Sequence, residues 1–349
     1  MDKILSLGLI GCGGIATGAH LPGWANCKRA KVVACFDVDR KRAEAAAEKF
    51  AIPRVCKTLK ELLALDEIAA VDICTPNYDH APAALAAFRA GKHVYCEKPI
   101  AMNGREGAAM VAAAKKARRK LMIGLHNRFR GDVQFVKSLI DAGRLGHIYY
   151  ARSVSIRRRG VPSWGVFGQK KLQGGGPLID IGVHAIDLAW FLLGCPKPVS
   201  VSGKCYETIG KTPGHFGLFG AWDWKTYDVE DFAVALVRFA GGQTLCLESA
   251  FCANLPADRE AAADIVGDKG GASVNPLKVC LEENGTLMNC EPQFVKDAAP
   301  PHHLGLWNFT DAVLDNKPVA IPGEQALTIQ KIIDGLYQSS KLGREVKIG

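Results

Sequence analysis

Residues 4–16 read Ile4-Leu5-Ser6-Leu7-Gly8-Leu9-Ile10-Gly11-Cys12-Gly13-Gly14-Ile15-Ala16, and this stretch decides the fold. An apolar run of strand length ends in G-x-G-x-x-A, and a helical pattern over 15–28 follows. Glycines there permit a tight turn and let main-chain N–H groups approach a pyrophosphate at the helix N-terminus. Gly11, Gly13, Gly14 and Ile15 are therefore candidate dinucleotide contacts. A second strand, 31–36, runs into Asp37, 21 residues past Ala16. That is about the distance at which an acid bonds the adenosine ribose. A carboxylate accepts from a 2′-OH and repels a 2′-phosphate, so NAD is favoured over NADP. Arg40, Lys41 and Arg42 read either as a phosphate site or as the exposed start of a helix. A tight strand-to-helix turn without ligand is the competing reading. The strand before the turn, the helix after it and the acid beyond it speak against that.

Outward from this turn, strand and helix signals alternate to about residue 125. Helices are expected over 39–50, 59–65, 78–90 and 104–119, with strands at 54–56, 70–74, 93–96 and 121–125. Six strands with helical crossovers imply a Rossmann-type doubly wound parallel sheet of order 3-2-1-4-5-6. After 126 the rhythm changes. A helix at 132–142 and a strand at 148–156 precede a Gly/Trp-rich loop, a helix at 177–193, and strands at 199–207, 231–239 and 243–251. Ala240-Gly241-Gly242 signals a hairpin between the last two. The expected division is 1–126 for the nucleotide-binding domain and 127–349 for an α+β domain with a mostly antiparallel sheet, closed by a helix over 323–341. Apolar residues on both faces of the hairpin (Phe232, Val234 and Leu236 against Ala233, Ala235 and Val237) suggest burial against helices on one side and a second subunit on the other.

The 349 residues, 48% apolar and 23% charged, read as a globular chain rather than a disordered one. Two domains suit that length. The net charge of +9 permits acidic partners. Its clusters at 115–120 and 157–159 fit a helix C-terminus and a strand end better than a nucleic-acid patch. No nucleic-acid or membrane partner is expected, and no apolar run approaches the ~18 residues of a membrane span. Leu9-Ile10-Gly11-Cys12 imitates a lipoprotein cleavage site, but the apolar stretch before it is short. The 12 cysteines are scattered without C-x-x-C spacing, which is reduced, intracellular usage and points to the cytoplasm.

Three places carry chemistry. Cys74-Thr75-Pro76-Asn77 ends the fourth strand at the ligand edge of the sheet; Thr75 and Asn77 read either as cofactor contacts or as the cap of the next helix. Glu97-Lys98-Pro99 ends the fifth strand, where a lysine near a nicotinamide suits acid/base work. Asp180, His184 and Asp187 share one helical face, so a carboxylate can orient an imidazole acting as base; a buried, hydrogen-bonded histidine is the alternative. A metal held by Asp180, His184 and His302 or His303 is disfavoured because H-x-x-x-H and paired-cysteine spacings are missing. G-x-S-x-G is missing too, which argues against a serine hydrolase.

With the Gly174-Gly175-Gly176 lead-in and Leu336-Tyr337-Gln338-Ser339-Ser340 near the end, these motifs together resemble the Gfo/Idh/MocA family of NAD(P)-dependent oxidoreductases. The resemblance covers nearly the whole chain. It implies a dimer or tetramer, with Lys98, Asp180 and His184 as catalytic residues and a sugar, glycoside or cyclitol as substrate. A Lys-Pro peptide that is often cis in relatives is also implied. Glu97 and Lys98 join the implied cofactor contacts. Asn127, Arg128, Arg157 and Trp164 are candidate substrate contacts, with a solvated basic strand and a core tryptophan as the other reading. The resemblance favours oxidation of a pyranose or glucoside at C3. Inositol oxidation, an oxidation–elimination glycosidase with recycled NAD, and a non-catalytic nucleotide sensor are the alternatives.

Overall fold

The computed structural model describes residues 3–349, which group into two units. The first runs up to Phe129 and takes in Ala298–Leu327; the second is Arg130–Asp297 with Thr328–Gly349. The sequence reading divides the chain near 126 and leaves everything beyond in one domain. The difference is residues 298–327, which return to the first unit because the helix at Pro301–Leu314 packs on its strands and helices.

In the first unit β1 (Leu5–Ile10), β2 (Ala30–Phe36), β3 (Arg54–Val55), β4 (Ala70–Ile73), β5 (His93–Cys96) and β6 (Leu121–Ile123) are all parallel, in the order β3-β2-β1-β4-β5-β6. Leu7, Leu9, Val71, Ile73 and Val94 are fully buried, as strands covered on both faces require. The crossover helices start where side chains satisfy their first N–H groups. Asp39 accepts from Lys41 N, Thr58 Oγ1 from Glu61 N and Asn103 Oδ1 from Glu106 N. After β1 the chain makes one wide π turn, Ala16–His20, and then a short helix α1, Leu21–Ala25.

The second unit holds a nine-stranded sheet of β7 (Ile148–Ile156), β8 (Pro198–Tyr206), β9 (Phe232–Phe239), β10 (Thr244–Ala250), β11 (Arg259–Gly267), β12 (Gly270–Val274), β13 (Lys278–Glu283), β14 (Thr286–Cys290) and β15 (Val346–Lys347). Its order is β14-β13-β12-β11-β7-β10-β9-β8-β15, antiparallel except where β7 meets β10. Burial alternates along β9 and β10: Ala233, Ala235, Val237, Leu245 and Leu247 are buried, whereas Phe232, Val234, Leu236 and Cys246 are half-buried. The helix α2, Val183–Leu192, packs on β7, β10 and β11. Among the described residues one helical stretch, Lys170–Leu192, is long and apolar enough to cross a membrane by length and composition; most of it is buried within the protein.

Strands β11–β14 and the helix at Pro301–Leu314 are not anticipated from the sequence. β12–β14 are short, and β13 and β14 carry mostly exposed side chains, so no alternation marks them; β11 is nine residues long but lacks a regular alternation of buried and exposed positions. The helix opens on Pro300-Pro301 with two histidines, a pattern that reads as loop.

Candidate active site

The glycine turn is built by close approach. Gly11 has φ +87°, and a Cβ there would lie 2.8 Å from the carbonyl of Cys74, so only glycine fits between β1 and the end of β4. A Cβ on Gly13 or Gly14 would meet nothing within 4 Å. Asp37 follows β2 and its Oδ2 accepts from Cys12 N at 2.7 Å, with Oδ1 accepting from Asp39 N at 2.8 Å. The acid therefore sits beside the turn, and the open glycines leave main-chain room for a pyrophosphate. These residues fit a dinucleotide.

Two further features meet at the carboxyl edge of β4 and β5. Asn77 lies in the first turn of the helix Asn77–Arg89, whose cap position is Pro76 without a side-chain bond; Asn77 is buried. His80, fully buried, lies between Thr75 O at 2.9 Å and Pro99 O at 2.7 Å and so ties the β4 end to the Lys98-Pro99 segment. The Lys98–Pro99 peptide is cis. Lys98 is half-buried, and its N–H donates to Glu97 Oε2 at 3.2 Å. Glu97 Oε1 meets His20 Nε2 at 2.9 Å, and His20 Nδ1 lies 2.9 Å and 3.0 Å from the two oxygens of Asp72. Burial pushes the Glu97 carboxyl up, but the His20 hydrogen bond, the His20 charge and Lys98 outweigh it and hold it at about 2. His20 is itself driven well above the ordinary histidine range, burial opposing and Asp72 prevailing. Asn127 and Arg128, in a 3-10 turn at His126–Phe129, are both buried, and Arg128 Nη1 donates to Gln325 Oε1 at 2.5 Å.

In the second unit the expected single helix over 177–193 is two pieces. Leu178–Gly182 is a π turn holding Asp180, and α2 follows with His184 and Asp187. The four-residue spacing from Asp180 to His184 thus crosses a widened turn rather than a regular one. Asp180 and Asp187 are buried and His184 is half-buried. The sequence reading missed the group that seats this turn. Glu230 Oε1 accepts from Gly176 N at 3.0 Å, Leu178 N at 3.1 Å and Tyr337 Oη at 2.9 Å. Gly176 is glycine because a Cβ would strike the Glu230 carbonyl at 2.1 Å. Beside it, Asp231 Oδ2 accepts from the N–H groups of Thr208, Ile209 and Gly210 at 2.6–2.7 Å. The signal for both was the acid pair leading into the apolar β9.

Arg157 and Trp164 lie in the loop region after β7. Arg157 Nη2 pairs with Glu260 at 2.8 Å and its guanidinium sits 5.5 Å over the Phe219 ring. Trp164, 57% exposed, meets Phe219 and Phe167 edge-on. It is thus not a core tryptophan, and an exposed ring of this kind suits a sugar face. His302 stacks on His126 in the first unit, ring centroids 3.6 Å apart.

The fold and the glycine turn with its acid define a nicotinamide-dinucleotide oxidoreductase. Residues 5–125 match the model of the oxidoreductase family, NAD-binding Rossmann fold, and 137–348 match that family's C-terminal alpha/beta domain. The chain belongs to the Gfo/Idh/MocA oxidoreductase family, and its first unit is an NAD-binding domain. It is 36% identical to D-glucoside 3-dehydrogenase of Escherichia coli K12, over 99% of this chain and 97% of that one. It is 27% identical to inositol 2-dehydrogenase of Rhizobium meliloti over 98% of both chains. A structure of levoglucosan dehydrogenase in complex with NADH superposes with a TM-score of 0.87 over 99% of this chain and 100% of that one, at 23% identity, and shares the fold.

Proposed function

We propose that this oxidoreductase removes hydrogen from a secondary hydroxyl of a sugar glycoside, at ring carbon 3, to give the 3-keto glycoside, NADH and a proton. The observation that carries the reading is the full-length 36% identity to D-glucoside 3-dehydrogenase in a chain with Lys98, Asp180 and His184 at the expected motif positions. NAD, when bound, supplies the hydride acceptor. Gly11, Gly13, Gly14 and Ile15 hold its pyrophosphate, Asp37 its ribose, and Thr75, Asn77 and Glu97 complete the contacts. His184 takes the hydroxyl proton, Asp180 orients the imidazole, and Lys98 assists. Trp164 offers a ring face to the sugar; Arg157, Asn127 and Arg128 are proposed as further contacts. The half-buried apolar face of β9 and β10 supports a homodimer or homotetramer. A cytoplasmic enzyme suits the free cysteines and the NAD requirement.

A cyclitol substrate is the second reading, favoured by the 27% relative. A screen of NADH formation over glucosides, free sugars and inositols separates the two. Turnover confined to glycosides, with product lacking two hydrogens at C3, is the expected result; turnover on inositol alone overturns the glycoside assignment.

A further inference from the structure

The mechanism uses Glu97 as a cofactor contact but leaves unexplained the buried ionic cluster behind it in the first unit. His20 is fully buried in the π turn after the glycine loop, with Asp72 from β4 on one side and Glu97 from the end of β5 on the other. Each ring nitrogen faces a carboxylate at 2.9 Å, an arrangement that favours a proton on both and hence an imidazolium. Trp24 Nε1 donates to Asp72 Oδ2 at 2.7 Å and completes that side. The remaining neighbours are Cys74 on the β4 side, Tyr95 on β5, Lys98 beyond Glu97, His126 in the 3-10 turn, and His302 and His303 on the helix at Pro301–Leu314. A metal held by His20, Asp72 and Cys74, whose donor atoms lie within 4.8 Å of one another, is a poorer fit. Nδ1 is already committed to Asp72, and burial pushes the Cys74 thiol up to about 12, away from the thiolate a metal needs.

We propose that His20, clamped by Asp72, is a positioning residue for hydride transfer: it keeps Glu97 an anion and turns Glu97 Oε2 to the Lys98 main-chain N–H, fixing the lysine's exit from β5. This rests on Lys98 being catalytic, as argued above. Two oxygens of one carboxylate are divided between His20 and the backbone of the working residue, so loss of the first bond frees the second. Burial of Glu97 would remain while the charge and hydrogen bond that oppose it were gone. The acid would then protonate at a higher pH.

The test uses the full-length protein with NAD and a glucoside that it turns over. His20→Gln offers a single amide donor pair and cannot serve two carboxylates as a cation. It should lower kcat on the order of 10²-fold, as a displaced catalytic group does, with KM for NAD little changed. It should also add an acid limb to the kcat–pH profile. Asp72→Asn, which keeps the shape, should move in the same direction by less and serves if His20→Gln fails to fold. Independently of turnover, ¹⁵N NMR of the unliganded wild type at neutral pH should show both His20 nitrogens protonated, the signals assigned by their loss in His20→Gln. A single-proton tautomer, or a variant that loses thermal stability while keeping kcat and its pH profile, overturns the proposal. Lys98→Met is the control. If it keeps turnover, the proposed chemistry has failed; if it abolishes turnover while His20→Gln does not, only the role of His20 has.

Discussion

Two pairs of buried acids, one in each unit, are satisfied in opposite ways. Asp72 and Glu97 share a cationic side chain, His20, at the edge of the parallel sheet. Glu230 and Asp231, at the start of β9, take uncharged donors instead: the N–H groups of Gly176 and Leu178 with the Tyr337 hydroxyl for one, the N–H groups of Thr208, Ile209 and Gly210 for the other. A partner that titrates sets charge as well as shape. A neutral donor sets shape alone. The difference shows in the direction of the shifts. Glu97 is held down at about 2, whereas burial leaves both Glu230 and Asp231 raised despite their hydrogen bonds. The first pair is arranged around a charge beside Lys98; in the second, Glu230 anchors the turn leading to Asp180 and Asp231 anchors the loop after β8.

The sharpest break of this comparison is a matched pair of isosteric changes. Glu97→Gln removes one side of a buried ion pair and should destabilise by roughly 3 kcal/mol near neutral pH, with loss of turnover. Glu230→Gln keeps an acceptor oxygen for one set of N–H groups and should cost about 1–3 kcal/mol. Its kcat–pH profile should keep its shape. Denaturant unfolding and pH-resolved kinetics check both, and a changed profile in Glu230→Gln with an unchanged one in Glu97→Gln would reverse the assignment.

The pH dependence of stability should separate the same two variants by sign. Glu97 has a depressed value, so its contribution is present above the ordinary 4.5 and is lost as pH falls toward about 2. Glu230 has a raised value, so its contribution is full below 4.5 and is lost as pH rises through the raised value. His20, also raised, contributes fully below 6.5 and loses that contribution as pH climbs through its higher folded value. On acidification the gap between wild type and Glu97→Gln should narrow, and that between wild type and Glu230→Gln should widen. Melting temperatures across the acid range would show parallel gaps if burial type made no difference.

A smaller effect is expected at Asp37, a half-buried acid that belongs to neither pair. Asp37→Ala should weaken NAD binding about tenfold, near 1.4 kcal/mol, and narrow the preference over NADP. Quenching of protein fluorescence by each cofactor measures it, and equal affinities in wild type and variant would remove Asp37 from the ribose site.

The same contrast explains what the sequence made legible. Gly11–Ala16 and Asp37 could be read because the turn and its acid are local, with strand and helix periodicity on either side. The order of the parallel sheet followed from that alternation. His20 and Glu230 could not be read as a pair with anything. Their partners lie 52, 77 and about 54 residues away and are brought near only by tertiary structure. Asp72 did leave a trace, since a carboxylate within Ala70-Val71-Asp72-Ile73 must find a partner when the strand is buried. The π turn at Leu178–Gly182 was invisible because its residues suit an ordinary helix equally well.

The central claim is hydride removal from ring carbon 3 of a glucoside. The most direct measurement uses methyl glucoside deuterated at C3, wild-type enzyme and NAD, with the reduced cofactor recovered after denaturation and weighed by mass spectrometry. Deuterium in NADH from wild type, and none from Lys98→Met that still binds NAD, is the expected result. NADH that forms without the label, or label transfer that persists undiminished in Lys98→Met, would contradict it.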